Sequence, residues 1–321
     1  MIQFDNYDIE KLKNTLANAK KILLISHRSP DGDTLGSTLA WYFALLSKGK
    51  IVYPFCVDPL PDKMQYLPAW DKMTNKLPNL ESIDLVIIND HGDLKLSGLN
   101  EVNDQILARK QVINIDHHPS NDFFGHQNFV FTDAASCTQI VTQLLKKLGF
   151  RITPDMATLL LNGLYTDTGS FQHSNTSPAA LETAALLMSY GANWNLIVKN
   201  AFKTLPVSTM KLWGHVLANM NTNAKGITSS TVTEHDLEDA KADSSELEGV
   251  VNFLNAVPNT KFSVLLSERG DVVKGSLRTP KDDVDVAKIA SFFGGGGHVK
   301  AAGFAVKGKI QREKNKQGVV A

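Results

Sequence analysis

The sequence predicts an α/β protein: a parallel sheet with flanking helices in a first domain, then a smaller α/β second domain. Three observations predict it. Residues 21–26, 85–88 and 112–115 are short, continuous apolar runs, the pattern of strands buried on both faces. Segments with apolar residues at helical spacing lie between or after them, supplying the crossovers that parallel strands need. After residue 206 the texture changes to alternating strands joined by a tight turn. A chain of 321 residues exceeds what one core usually organises. The expected division is a first domain at 1–192, a join at 193–206 and a second domain at 207–321. The active site is expected in the cleft between them.

Residues 8–19 read as a short amphipathic helix leading into the first strand. That strand runs into His27-Arg-Ser-Pro-Asp31-Gly-Asp33 and then a helix over 34–47, with Leu35, Leu39, Tyr42 and Leu46 on one face. His27, Asp31 and Asp33 therefore fall in a turn at the carboxyl edge of the sheet, where open α/β sheets bind ligands. Pro30 and Gly32 suit a tight path there. A histidine and two aspartates so close together call for a partner charge, and a metal cation is the simplest. The alternative is a solvated turn with an Asp N-cap. Residues 51–56 give a second strand, followed by a loop with Pro59, Pro61 and Pro68 that carries Tyr66, Leu67 and Trp70.

The run at 85–88 ends in Asn89-Asp90-His91-Gly92-Asp93, and that at 112–115 ends in Asp116-His117-His118. Polar residues normally follow strands, but three strands in one domain delivering carboxylates and imidazoles point to a shared polyvalent site. Successive side chains on extended backbone diverge. One of His117 and His118 is therefore expected to ligate metal and the other to face substrate; two surface histidines are the alternative. Helical patterns follow at 136–149 and 154–165, the second nearly all apolar. Its end places Asp167 where a buried helix stops. A buried, unpaired carboxylate costs several kcal/mol, so a cation is expected, the alternative being a cap that accepts backbone N–H groups. One more helix spans 177–190.

The second domain begins with a helix at 207–220. Strands follow at 227–232, 261–266 and 272–278, the last two paired across Arg269-Gly270-Asp271. A helix at 284–293 runs into Gly294-Gly295-Gly296-Gly297-His298. Apolar elements flank these glycines closely, so they read as a loop whose backbone amides approach an anion rather than as a linker. Arg278, His298 and Lys300 are the neighbouring donors.

Composition narrows the function. With 33 basic and 33 acidic residues, no broad cationic face for long nucleic acid is expected. Cys56 and Cys137 show neither a disulfide framework nor zinc spacing and read as reduced core residues. The N-terminus lacks a basic region followed by an apolar one, and no run approaches a membrane span, so a cytoplasmic location is expected.

The ordered set His27-x-x-x-Asp31-x-Asp33, Asp90, Asp116-His117-His118 and Asp167 resembles the DHH phosphoesterase superfamily. Gly294–His298 followed by Ala301-Ala302-Gly303-Phe304 is similar to its DHHA1 domain. The resemblance covers roughly residues 15–305 in order and spacing. The compact length is most similar to a group of bifunctional oligoribonucleases that also dephosphorylate 3′-phosphoadenosine 5′-phosphate (PAP). It implies two Mn²⁺ ions: His27, Asp31 and Asp90 would hold one, and Asp33, Asp90, His117 and Asp167 the other, with Asp90 bridging. Asp90, Asp116, His117 and His118 would form the catalytic group, His118 contacting the scissile phosphate. Arg278, Gly294, Gly295, Gly296, Gly297 and His298 would bind the far phosphate or sugar. His91 and Asn89 depart from the pattern, where a small and an apolar residue are usual.

The donor chemistry agrees. Mixed imidazole and carboxylate ligands without thiolate suit Mn²⁺, and Mg²⁺ less well. Two such ions clamp the attacking and leaving oxygens of an in-line displacement at phosphorus. No Ser or Cys nucleophile is then required, and the chain has no Gly-x-Ser-x-Gly elbow. Expected partners are short RNA, dinucleotides and nucleotide phosphates, with a second copy of the chain admissible; neither a membrane nor long nucleic acid is expected. Competing readings are a cyclic or linear dinucleotide phosphodiesterase, and a pyrophosphatase or exopolyphosphatase, which would not need the glycine segment with His298. An inactive nucleotide-binding module is the other; inactive members should lose ligands, and none is lost here.

Overall fold

Ile22, Leu23, Leu24 and Ile25 are fully buried, and so are Leu85 to Ile88; only strands covered on both faces can carry such runs. In the computed structural model they form the middle of a five-stranded parallel sheet, order β2-β1-β3-β4-β5. The structure describes residues 2–100, 102–201, 205–247, 249–313 and 316–320. They divide into two units, Met1–Thr204 and Leu205–Ala321.

In the first unit the order is α1 (Asn6–Asn18), β1 (Lys21–Ile25), α2 (Gly32–Leu46), β2 (Ile51–Phe55), β3 (Leu85–Asn89), α3 (Asn103–Arg109), β4 (Gln111–Asp116) and β5 (Gln127–Val130). Then come α4 (Cys137–Lys147), α5 (Pro154–Asp167), α6 (Pro178–Ser189) and α7 (Trp194–Ala201). Alternate strand residues face opposite cores. Ile22, Leu24, Leu85, Ile87, Ile113 and Ile115 pack with α1, α2, α4 and α5, while Leu23, Ile25, Val86, Ile88 and Val112 pack with Ile106 of α3. Each such aliphatic side chain contributes about 1.5–3 kcal/mol by leaving water. Helix α2 lies so close to α5 that a Cβ at Gly36 would stand 2.5 Å from the Leu159 carbonyl oxygen.

Sequence periodicity does not announce β5, α3 or α7. Strand β5 is a four-residue edge, Gln-Asn-Phe-Val, in which only Gln127 and Phe129 are buried. Within the expected join, Trp194, Ile197, Val198 and Ala201 of α7 pack on the first core. Residues 202–204 of that join lie outside the described residues.

The second unit holds α8 (Val207–Ala218), β6 (Asn221–Thr222), β7 (Ile227–Val232), α9 (Glu234–Ala240), α10 (Val250–Leu254), β8 (Phe262–Arg269) and β9 (Val272–Arg278). It continues with α11 (Val286–Ser291), β10 (Gly296–His298), β11 (Ala301–Lys307), and a ribbon of β12 (Gln311–Glu313) and β13 (Lys316–Val320). Its sheet runs β10-β11-β9-β8-β7-β6, parallel only between β7 and β8. The β8–β9 hairpin turns at Gly270, φ +60°. The glycine segment differs from the open loop expected: Gly296–His298 is an edge strand on β11. The glycines are there for close approach, since a Cβ at Gly295 would stand 2.1 Å from the Gly303 carbonyl oxygen and one at Gly297 2.6 Å from that of Ala301. Among the described residues no helix is long and apolar enough to cross a membrane.

Candidate metal centre

Three parallel strands end side by side, and the residues just beyond β1, β3 and β4 meet the first turn of α2 and the last of α5. Asp31 is the N-cap of α2, its Oδ1 accepting the Asp33 and Thr34 amides at 2.9 and 3.0 Å. Asp33 is the second residue of α2, in its first turn, and is 1% exposed. Asp90 leaves β3 at φ +65°, a left-handed conformation that aspartate tolerates better than most residues but which costs on the order of 1 kcal/mol. Its amide bonds to the Ile115 carbonyl at 2.8 Å, tying it to β4.

Asp90 is the hub. His27 Nε2 lies 3.4 Å from its Oδ2, and His117 Nε2 lies 3.5 Å from its Oδ1. Around the first pair stands Asp31, with Oδ1 3.7 Å from His27 Nε2. Around the second stand Asp33 Oδ2 and Asp167 Oδ2, 3.9 and 3.8 Å from His117 Nε2. Three groups of ligand atoms lie mutually within 4.8 Å: His27, Asp31 and Asp90; Asp33, His117 and Asp167; Asp90, Asp116, His117 and His118. The His27 and His117 separations of 3.4 to 3.9 Å exceed good hydrogen bonds but stay below the roughly 4.2 Å that two metal–ligand bonds of about 2.1 Å can span. Asp90 Oδ1 is buried with no hydrogen-bond partner among the described residues. A carboxylate oxygen stranded among further carboxylates fits a cation.

The imidazoles are aimed. His27 Nδ1–H donates to the Arg28 carbonyl at 2.8 Å, which turns Nε2 toward Asp90. His118 Nδ1–H donates to Asp116 Oδ1 at 2.7 Å. Asp116 is fully buried, and it also accepts from the His117 amide at 2.8 Å and from Asn121 Nδ2 at 2.7 Å.

The charges respond strongly to one another. Burial opposes charge on His27, yet Asp31 and Asp90 overcome it and raise its pKa to about 11. Burial likewise opposes charge on His117, and Asp90, Asp167 and Asp33 raise it to about 10. His118 is raised as well, Asp116 and Asp90 outweighing burial. Burial and the charges of Asp90 and Asp167 push the Asp33 carboxyl well above its usual range. Burial and neighbouring carboxylates lift Asp167 to about 7. Asp90, despite burial, is held well below the carboxylate range by His117 and His27.

All the first-domain residues expected from sequence are brought together: His27, Asp31, Asp33, Asp90, Asp116, His117, His118 and Asp167. The expected divergence of His117 and His118 is corrected. Their ring centroids are 4.5 Å apart and both face Asp90 Oδ1, His118 through Nδ1 at 3.6 Å. The reason is local: β4 stops at Asp116, so strand alternation does not govern the next two residues. Arg278 and His298 lie in the second unit, each paired with Ala301 across neighbouring strands and so on one face of its sheet. Arg278 Nη1 donates to the Leu277 carbonyl at 2.8 Å.

His91, flagged as a departure, is fully buried, donates from Nδ1 to the Asn89 carbonyl at 2.7 Å and lies edge-on to His27, centroids 6.0 Å apart. Burial and the nearby His27 charge lower its pKa to about 4, so it is neutral. Sequence reading missed Asn121, Thr138, Gly163 and His173. Asn114, a buried amide inside an apolar strand, was the available signal for Asn121, which it bonds at 2.9 Å. His173 folds back over Gly169, its Nδ1 3.4 Å from the Asp167 carbonyl oxygen.

Comparison with known proteins gives the chain a family context. The DHH family, N-terminal domain, matches residues 21–164, and the DHHA1 domain matches residues 224–319. The chain is similar, at 35% identity over 89% of its length and 84% of the relative, to a bifunctional oligoribonuclease and PAP phosphatase NrnA from Thermus thermophilus. A protein of the same description from Bacillus subtilis is 25% identical over 92% of each chain. The crystal structure of an exopolyphosphatase-related protein from Bacteroides fragilis superposes with a TM-score of 0.88 at 27% identity, covering 95% of this chain and 93% of that one.

Proposed function

This chain belongs to the DHH family of phosphoesterases, and from that premise we propose that it hydrolyses short oligoribonucleotides and removes phosphate from PAP. The observation that carries the reading is the division of Asp90, one oxygen toward His27 and the other toward His117. That is the arrangement a carboxylate shared by two cations requires. His27, Asp31 and Asp90 would hold one ion, and Asp33, Asp90, His117 and Asp167 the other. With imidazole and carboxylate donors and no thiolate, Mn²⁺ suits the site best and Mg²⁺ second. When bound, the ions supply Lewis-acid activation of water and neutralise charge at phosphorus.

The chain's own groups do the rest. Asp116 fixes the His118 tautomer and sustains its positive charge, so that Nε2–H can donate to a phosphoryl oxygen. Asn121 holds the second oxygen of Asp116 and so keeps that pair rigid. In the second unit Arg278 and His298 recognise the far phosphate or sugar of a short nucleotide, a guanidinium gripping phosphate bidentately. The zero net charge suits short substrates, and a cytoplasmic location is part of the same proposal.

The test is Mn²⁺-dependent release of mononucleotide from a dinucleotide, run beside phosphate release from PAP. Polyphosphate serves as a third substrate, given the similarity to an exopolyphosphatase-related protein. Turnover of both nucleotide substrates supports the reading; turnover of polyphosphate alone refutes it.

A further inference from the structure

Asp33 is unusual among the site's carboxylates because one neighbouring helix end occupies both of its oxygens. Oδ1 accepts the Thr138 amide at 2.9 Å and the Thr138 hydroxyl at 2.7 Å, and Oδ2 accepts the Cys137 amide at 2.6 Å. All three donors belong to the first turn of α4. The hydroxyl is itself directed. Gln139 N–H donates to Ser136 Oγ at 3.1 Å, and Ser136 Oγ and Thr138 Oγ1 are 2.8 Å apart. Amides only donate, and the Thr138 hydroxyl gives its proton to Asp33 Oδ1. The proton order therefore runs one way, from Gln139 through Ser136 and Thr138 to Asp33. Gly163 of α5 leaves the space: a Cβ there would stand 2.4 Å from Thr138 Cγ2 and 2.8 Å from Asp33 Oδ1.

We propose that Thr138 is a positioning residue for the second metal ion, holding Asp33 turned so that Oδ2 faces the His117–Asp167 side. With two donors on Oδ1, the remaining lone pair of Oδ2, 3.9 Å from His117 Nε2, is the one oriented toward that group. The Thr138 hydroxyl is engaged by Asp33 Oδ1 and Ser136 Oγ. The proposal rests on the reading of Asp33 as a ligand, so its test measures metal rather than turnover.

Mn²⁺ titration, followed by the loss of the free-ion EPR signal and by calorimetry, should show two ions in the wild type. Thr138→Val keeps the side-chain shape and removes the donor. It should bind the first ion as the wild type does and the second about 10- to 100-fold more weakly, the range for an outer partner of a metal ligand. Thr138→Ser should restore the second affinity. Equal affinities in Thr138→Val and wild type, equal weakening of both ions, or failure of the Ser rescue would each overturn the proposal. A Thr138→Val protein that does not fold is replaced by the Thr138→Ala and Thr138→Ser pair, read the same way. A wild type that binds no Mn²⁺ overturns the metal reading beneath it instead.

Discussion

His27 and His117 approach one carboxylate from its two sides, His27 Nε2 3.4 Å from Asp90 Oδ2 and His117 Nε2 3.5 Å from Asp90 Oδ1. Two clusters are joined through a single residue. Asp90→Ala should therefore lower kcat on every substrate by more than about 10³-fold, beyond the worth of a single oxyanion donor. Metal analysis should find fewer than two ions, with the circular dichroism spectrum unchanged. An active variant with two ions would mean the bridge lies elsewhere.

The adjacent histidines should separate in metal titrations. His117→Ala removes an imidazole facing Asp33, Asp90 and Asp167 and should weaken the second ion. His118→Ala should keep both ions and lose about 10²–10⁴-fold in kcat, the usual contribution of a positioned acid or base. The opposite pattern would exchange their roles.

His27, Asp90, His117 and His118 were legible because each lies just past an apolar run long enough to be a buried strand, and because His and Asp there have few structural uses. The contributions of Thr138 and Gly163 were not legible. One acts through a hydroxyl and backbone amides on a helix distant in sequence, and the other by lacking a side chain where three helices meet; neither leaves a pattern in hydropathy. Likewise β5 is too short and too polar to register, and the glycine segment reads the same whether it is a loop or an edge strand.

Metal affinity should rise with pH. Without metal, His27 and His117 hold protons up to about 11 and about 10. A metal-bound imidazole must be neutral, so near pH 7 each ion displaces about one proton. The Asp33 carboxyl, pushed well above its usual range by burial and by Asp90 and Asp167, and the Asp167 carboxyl, at about 7, add further proton release on the second ion. Each displaced proton opposes binding more as pH falls, so apparent affinity should drop by about tenfold per proton per pH unit. Calorimetry in buffers of different ionisation enthalpy counts those protons. A pH-independent affinity would show that the imidazoles are not ligands.

Gly163→Ala should push Thr138 and Asp33 apart. Overpacking at such a contact costs about 1–3 kcal/mol. The melting temperature should fall, and the gain in melting temperature on adding Mn²⁺ should shrink. An undiminished Mn²⁺ gain would mean that the contact relaxes without disturbing Asp33.

Recognition by the second unit should appear as a substrate-dependent loss. Arg278→Ala or His298→Ala should lower kcat/KM on a dinucleotide by about 10- to 100-fold, the worth of a charge-assisted contact. Activity on bis-p-nitrophenyl phosphate and the content of both ions should be retained. Equal losses on the two substrates would remove these residues from recognition.

Helix α5 does two things at once: Leu159, Leu160, Leu161 and Leu164 are fully buried, and its last residue is Asp167. As the chain leaves the ribosome, His27, Asp31, Asp33, Asp90 and His117 all emerge before α5. The nascent protein therefore carries most of a binding site before α5 has packed on α2 and α4. The ligand that completes the second donor group arrives with the helix that closes the core. The second donor group can therefore be complete only once α5 has docked, so full loading with a second ion would report on the packing of that helix.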